Sequence, residues 1–160
     1  MKLGVLVEGG DETRVAIVPN SVPKLMKLGF EVHVESGAGV SAHHLDAEYE
    51  AKGASIVSRD DAMACKILIC ISAPDFTILS EGQMVACVSD PFRHPERIKQ
   101  AMEAKVTLMS MDMIPRRLSR AQAMDVNSSQ DNLAGYKAVL MGAAQVPKGI
   151  PMMTTSWESP

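Results

Sequence analysis

The chain has 160 residues, of which 46% are hydrophobic and 22% charged, and its formal net charge is −3 at pH 7. These values indicate one globular domain with a sizeable buried core and exclude a disordered or collagen-like protein. The acidic balance excludes most nucleic-acid binders, which need many phosphate-neutralising side chains. No apolar run approaches the ~20 residues that span a membrane, and no signal peptide is recognisable, so we expect a cytoplasmic protein.

Short apolar runs that are typical of strands alternate along the chain with helical segments. The predicted strands are residues 2–7, 30–34, 55–57, 67–71, 84–88 and 106–109. The first predicted helix begins at residue 20 or 21 and ends at residue 28. Three further helices cover residues 46–52, 60–65 and 95–104, and the last helix begins at residue 128 or 129 and ends at residue 144. This alternation predicts an α/β domain with a mostly parallel sheet and helices on both faces. We expect residues 1–144 to form that domain and the proline-containing residues 145–160 to be a linker or tail.

Cysteine and histidine show no spacing that suits a metal site. Cys70 and Cys87 fall in apolar runs, and Cys65 lies beside one. We therefore predict buried structural thiols and no metal site.

The segment "GAGVSA", residues 37–42, matches the glycine pattern of dinucleotide-binding turns. Such a turn must open a helix, and an acidic residue must end the following strand. Here His43, His44 and Leu45 follow the pattern, and the strand 55–57 ends without an acidic residue. A glycine-rich turn is the preferred interpretation, and a phosphate site is the alternative.

Two further polar segments follow predicted strands, where loops of parallel sheets carry binding groups. Arg14, in the first loop, is suited either to clamping an anion or to a surface salt bridge. In the second, residues 119–136, Ser128 and Asp131 match a capping box that begins the last helix. The loop just before that helix contains Arg116, Arg117, Arg120, Gln122 and Asp125. Its arginines and its glutamine offer planar, multi-donor hydrogen bonding that suits an amide or carboxylate.

The run "IPRRLSRAQAMDVNSSQDNLAGYKAV" resembles the signature of the nucleotide-binding alpha subunit of proton-translocating NAD(P) transhydrogenases, whose sister family is alanine dehydrogenase. The segments "ETRVAIVP", "LGFEVHVESGAG", "DAEYEAKGASIV", "DPFRHPE" and "PMMTT" extend the resemblance to about residue 155. It implies a three-layer Rossmann-like (flavodoxin-like) α/β domain, the first of two domains that enclose NAD(H).

Carried over from that family, the contacts to the nicotinamide end of NAD(H) fall on Arg117, Gln122, Asp125 and Ser128. Arg116 is the alternative to Arg117, because this chain has one residue more than the family pattern. The resemblance implies neither a catalytic side chain nor a metal, since the hydride passes between two nicotinamides. The implied partners are the membrane and NADP-binding subunits of a transhydrogenase and a second copy of the chain.

Two alternatives remain open from the sequence. Alanine dehydrogenases use an arginine, a lysine and a histidine around pyruvate. Arg14 matches the arginine, but Cys70 and Val88 stand at the other two positions, which disfavours a fragment of that enzyme. After "PMMT" the chain leaves the family pattern before the second, GxGxxG-bearing domain. We therefore expect no enzymatic activity from this chain alone and NAD(H) binding only where that domain is supplied, and a non-catalytic interaction domain is the other alternative.

Overall fold

The computed structural model describes residues 1–115 and 117–147. The chain divides into two compact units, Met1–Met124 and Asp125–Pro160. The first unit contains the sheet, and the described residues of the second consist mainly of one long helix.

Six strands form one sheet in the first unit. They are β1 (Lys2–Val5), β2 (Glu31–Glu35), β3 (Ser55–Val57), β4 (Ile67–Ser72), β5 (Met84–Val88) and β6 (Thr107–Ser110). Their order is β3-β2-β1-β4-β5-β6, and every neighbouring pair is parallel. This is the strand order of the doubly wound Rossmann fold. The prediction of a three-layer, Rossmann-like domain is therefore confirmed.

Four short helices belong to the first unit. They are α1 (Val22–Lys27), α2 (Asp46–Glu50), α3 (Arg59–Met63) and α4 (Pro95–Glu103). Gly29 and Gly53, which follow α1 and α2, have φ angles of +90° and +94°. Glycine adopts this conformation without strain, which explains why both helices end there.

Two separate apolar clusters cover the two faces of the sheet. The first centres on Val5, Val34 and the fully buried Tyr49 of α2. The second centres on Leu68, Val85 and Phe76, and it includes all three cysteines, which are free thiols. The prediction that the cysteines are buried is thus confirmed.

The second unit contains α5 (Val126–Gln145), which has no buried residue. Gln145 ends this helix one residue beyond the predicted domain boundary at 144, and most of the predicted tail, residues 148–160, lies outside the described residues. Among the described residues, none of the helices has the length and apolarity that a membrane span requires. The same residues contain no group of three or more side chains suited to a metal ion.

Candidate functional site

The carboxyl ends of all six strands lie at one edge of the sheet, because every strand runs in the same direction. The chain builds outward from β1 to β3 and then returns to the other side of β1 with β4. The gap between the ends of β1 and β4 is therefore the topological switch point, where ligands of such sheets bind. We call this side of the sheet the carboxyl edge.

A carboxylate of the chain itself accepts hydrogen bonds from the main-chain amides at this switch point. Glu8, just after β1, accepts hydrogen bonds from the amides of Ile71 (2.5 Å) and Ser72 (2.9 Å) at the end of β4. In a dinucleotide-binding turn, free amides at a switch point face phosphate oxygens. Here the amides are already paired with a negative charge, which disfavours a phosphate at this position.

Two more carboxylates tie neighbouring strand ends together in the same way. Glu35, at the end of β2, accepts from the amide of Val7 at 2.7 Å and from the Arg59 guanidinium at 3.1 Å. Asp112, after β6, accepts from the amides of Ser89 (3.1 Å) and Asp90 (2.9 Å) beyond β5. With Glu8, these side chains connect the strand ends in pairs and hold the loops of the carboxyl edge in place.

The environment of Asp112 stabilises its ionised form. Burial acts to raise the pKa of this carboxyl, but the hydrogen bonds from Ser110, Ser89 and Asp90 outweigh burial and hold the pKa below its usual range. The hydroxyl of Ser110 donates to the carboxylate at 2.7 Å and also contacts the Ser89 hydroxyl at 2.6 Å. Sequence reasoning missed Glu35 and Asp112, because only the strand order brings their partners close.

The glycine pattern at 37–42 forms a turn, as the preferred interpretation predicts. Gly37 has φ +82°, and its amide donates to the Asp46 carboxylate at 2.9 Å. Val40–Ala42 is a short 3₁₀ turn and does not open an α-helix. The alternative of a phosphate site has no helix N-terminus to support it, and its first amide already has an anionic partner.

Arg14 forms a salt bridge with Glu12, two residues away. The guanidinium donates from Nε to Oε1 at 2.8 Å and from Nη2 to Oε2 at 2.5 Å. This side-chain hydrogen bonding outweighs burial and lowers the pKa of Glu12, and the same contact raises the pKa of Arg14. Of the two roles open to Arg14, the structure shows the salt bridge, and the role as a clamp for an external anion stays a prediction.

The polar loop that precedes the last helix contains one buried residue among those that the structure describes. Ala121 is only 5% exposed, and its amide donates to the carbonyl of Leu118 at 2.8 Å. Gln122 and Arg117 are exposed. Arg116, the alternative leading arginine, lies outside the described residues.

The predicted capping box at Ser128 is wrong. The helix α5 begins at Val126, and Asp125 is its N-cap. The Asp125 carboxylate accepts from the Ser128 amide at 2.9 Å and from the Ser128 hydroxyl at 2.6 Å. An aspartate in the flanking position satisfies a free amide of the first turn, so Asp125 and Ser128 have a structural role in addition to any binding role.

The alanine dehydrogenase positions are apolar in this chain. Cys70 is 7% exposed on β4, and Val88 is half-buried at the end of β5. Neither side chain supplies a positive charge or an acid–base group near a carbonyl.

The fold and the carboxyl edge together define a Rossmann-type domain. Its carboxyl edge is polar, and its switch-point amides are paired with a carboxylate of the same chain.

Comparison with known proteins gives the family. The model described as "Alanine dehydrogenase/PNT, N-terminal domain" matches residues 4–134. The chain is 39% identical over 155 residues to an NAD(P) transhydrogenase alpha subunit of Rhodospirillum rubrum, covering 91% of this chain and 40% of that protein. It is 25% identical over 154 residues to alanine dehydrogenase of Methanococcus maripaludis, a match that covers 92% of this chain and 40% of that protein.

A solved structure is similar over nearly the whole chain. The transhydrogenase from Sinorhizobium meliloti matches with a TM-score of 0.89 and 37% identity, covering 98% of this chain and 48% of that one. The chain therefore belongs to the alanine dehydrogenase/PNT N-terminal domain family. It is more similar to transhydrogenase alpha subunits than to alanine dehydrogenase, and it spans about 40% of the length of the Rhodospirillum relative.

Proposed function

We propose that this chain is the first domain of a proton-translocating NAD(P) transhydrogenase alpha subunit and contributes one wall of its NAD(H) site. The observation that carries the proposal is that the family match, residues 4–134, includes the whole polar loop, with the exposed Gln122 at its centre. The greater identity to the transhydrogenase alpha subunit, 39% against 25%, supports this choice over an alanine dehydrogenase fragment.

The chemistry of the loop suits the carboxamide of nicotinamide. A carboxamide offers one carbonyl acceptor and two N–H donors. The side-chain amide of Gln122 can donate to that carbonyl and accept from those N–H groups, and Arg117 can donate to the carbonyl. Ser128 donates its hydroxyl proton to Asp125, so the lone pairs of its oxygen can accept from an amide. When bound, NAD(H) supplies the hydride, and these side chains orient the ring that carries it.

The remaining elements of the proposal rest on the resemblance. A second domain would hold the rest of the nucleotide, because the switch-point amides of this domain are paired with Glu8. The acceptor would be NADP on a partner subunit, and a membrane subunit and a second copy of the alpha subunit would be further partners. The chain itself would be cytoplasmic, as expected from its sequence. A functional NAD(H) site would need that second domain, so by itself this chain would make only a weak, millimolar contact with the nicotinamide end of NADH and would transfer no hydride.

An NMR titration of the isotope-labelled chain with NADH tests the proposal. We expect millimolar binding in which the shifted signals concentrate at residues 117–128, including the side-chain amide of Gln122. Gln122→Ala should weaken binding several-fold, while the matched control Gln100→Ala, on α4, should leave it unchanged. If NADH shifts no signals in that loop, or if both variants bind equally, the proposal is wrong.

A second candidate function is a non-catalytic interaction domain. The observation that favours it is the row of exposed apolar side chains on α5, with Leu133 59% exposed, Tyr136 67% and Leu140 49%. Sedimentation of the purified chain tests it, since association that Tyr136→Lys abolishes would support an interaction role. A monomer at every concentration would exclude self-association.

A further inference from the structure

One row of side chains crosses the sheet from a covered part to an open part. The strand registers place Val34, Val5, Ile69, Ala86 and Met109 next to one another, in that order, from β2 to β6. Residues in register on paired parallel strands point to the same face of the sheet. Val34 and Val5 are fully buried, Ile69 and Ala86 are half-buried, and Met109 is 49% exposed. The cover of this face therefore ends near β4.

The four helices of the first unit explain why the cover ends there. α1 and α2 contribute Val22 and Tyr49 to the cluster under the covered part. α3 and α4 contribute Met63 and Ala101 to the cluster on the opposite face. The neighbouring row of the first face also runs from buried residues on β2 and β1 to the exposed Thr107 on β6. Within the described part of this unit, none of these helices covers the surface that we call the open sheet face, formed by Met84, Ala86, Val88, Thr107 and Met109.

The open sheet face is apolar and carries no charge. Four of its five side chains are methionine, alanine or valine, and none of the five belongs to either buried cluster. Parallel strands occur almost always with helices on both faces, because both faces carry apolar side chains. β5 shows this pattern, since its Val85 and Cys87 are buried on the opposite face. The open sheet face thus lacks the helix that this kind of sheet requires.

The apolar side chains of α5 are uncovered. This helix is 20 residues long and has no buried residue, and its only charged side chains are Asp131 and Lys137. Leu133, Tyr136 and Leu140 have the spacing of one helix face, and all three are exposed. A helix of this length measures about 30 Å and is about 10 Å wide. β5 and β6 have 5 and 4 residues, so they extend for about 13–17 Å and lie about 4.8 Å apart. One such helix is therefore large enough to cover both strands.

We propose that two copies of the chain associate by placing α5 of each copy on the open sheet face of the other. The occupant is a second copy because each chain carries both halves of the contact, an uncovered apolar helix and an uncovered apolar sheet face. A symmetric exchange forms the contact twice and closes the dimer, so both surfaces of both chains leave water together. The exchange is independent of NAD(H) binding and specifies the receiving surface for the interaction role of α5.

Sedimentation of paired variants tests the exchange. Tyr136→Lys and Met109→Lys should each raise the dissociation constant of the dimer at least about 100-fold, because each places an unpaired charge in both contacts. Met102→Lys, at an exposed position of α4, is the matched control and should leave the constant unchanged. An equimolar mixture of the two variants should associate about tenfold more tightly than either variant alone. A mixed dimer carries both substitutions in one contact and leaves the other contact natural.

An NMR dilution series of the natural chain decides the matter even if a variant fails to fold, and Thr107→Lys is the second variant on the same face. We expect the signals of Ala86, Met109 and Tyr136 to shift together as the concentration rises. If only α5 shifts, or if Met109→Lys associates like the natural chain, two α5 helices pair with each other and the proposal is wrong. A natural chain that stays monomeric at every concentration would also overturn it. The response of Gln122 to NADH tests the NAD(H) site separately, so the two failures are distinguishable.

Discussion

Replacing Asp112 with alanine should clearly destabilise the first unit. Its carboxylate accepts from two main-chain amides, those of Ser89 and Asp90, and from the hydroxyl of Ser110. Ser89 has no exposed surface, so water cannot replace the lost acceptor there. The loop that joins β5 to α4 depends on these contacts.

The magnitude follows from the groups left unpaired. A buried amide without an acceptor costs about 1–3 kcal/mol, and the lost bond from the more accessible Asp90 amide adds about 1 kcal/mol. We therefore expect Asp112→Ala to lower the free energy of unfolding by about 2–4 kcal/mol. Asp112→Asn keeps one acceptor oxygen but directs an N–H group toward an amide, so we expect an intermediate loss.

The effect also has a definite dependence on pH. The pKa of Asp112 is lower in the folded chain than its ordinary value of 3.8. A lowered folded-state pKa means that the ionised carboxylate stabilises the fold above the unfolded-state pKa, and that this contribution disappears as pH falls through the folded-state pKa. The difference in stability between the natural chain and Asp112→Asn should be constant from neutral pH to about pH 5 and shrink below about pH 4.

Urea unfolding followed by circular dichroism measures these differences. Asp11→Ala, at an exposed position in the loop after β1, is the matched control and should stay within about 0.5 kcal/mol of the natural chain. The reasoning is refuted if Asp112→Ala is as stable as this control, or if the difference grows as the solution becomes more acidic.

Three further changes have expected outcomes in the same assay. Tyr49→Phe removes a hydrogen bond of 2.9 Å to the carbonyl of Ile17 and should cost about 1–2 kcal/mol, and an unchanged midpoint would contradict this. Gly39→Ala places a methyl group 2.7 Å from the Tyr49 ring and should lower the free energy of unfolding by about 1–3 kcal/mol. Adding Tyr49→Phe to this variant should not restore stability, because a ring carbon is among the clashing atoms. Asp125→Ala removes the cap of α5 and should reduce helical circular dichroism and cost about 1 kcal/mol, whereas Ser128→Ala, which keeps the amide bond to the cap, should cost less.

Local sequence patterns predicted the elements of the sheet well. The strands Ser55–Val57 and Met84–Val88 coincide with the predicted ranges. A continuous apolar run such as 84–88 is typical of a strand buried on both faces, and Gly53 separates helix from strand just before residue 55. These signals are contained within a few neighbouring residues, so no tertiary information is needed to read them.

The start of α5 was mispredicted because two capping patterns overlap. Asp125 and Ser128 have the same spacing as Ser128 and Asp131, and aspartate and serine are both good caps. The apolar spacing of Leu133 and Tyr136 suits either start. Only the observed backbone, with Asp125 extended and Val126 already helical, distinguishes the two.

The carboxylate contacts of the edge are invisible to sequence patterns. Glu8 reaches Ile71 across 63 residues, and Asp112 reaches Ser89 across 23. Each contact requires the strand order, which periodicity does not contain. The nicotinamide-binding roles of Gln122 and its neighbours rest on the family resemblance and remain predictions.

The proposed role of this domain is to contact the nicotinamide end of NAD(H) and not its phosphates. The most direct test compares two halves of the cofactor by NMR titration of the labelled chain, namely reduced nicotinamide mononucleotide and ADP-ribose. We expect the nicotinamide half to shift signals at residues 117–128 and ADP-ribose to leave them unchanged at the same concentration. Equal shifts with ADP-ribose, or shifts that concentrate at residues 37–42, would contradict this role.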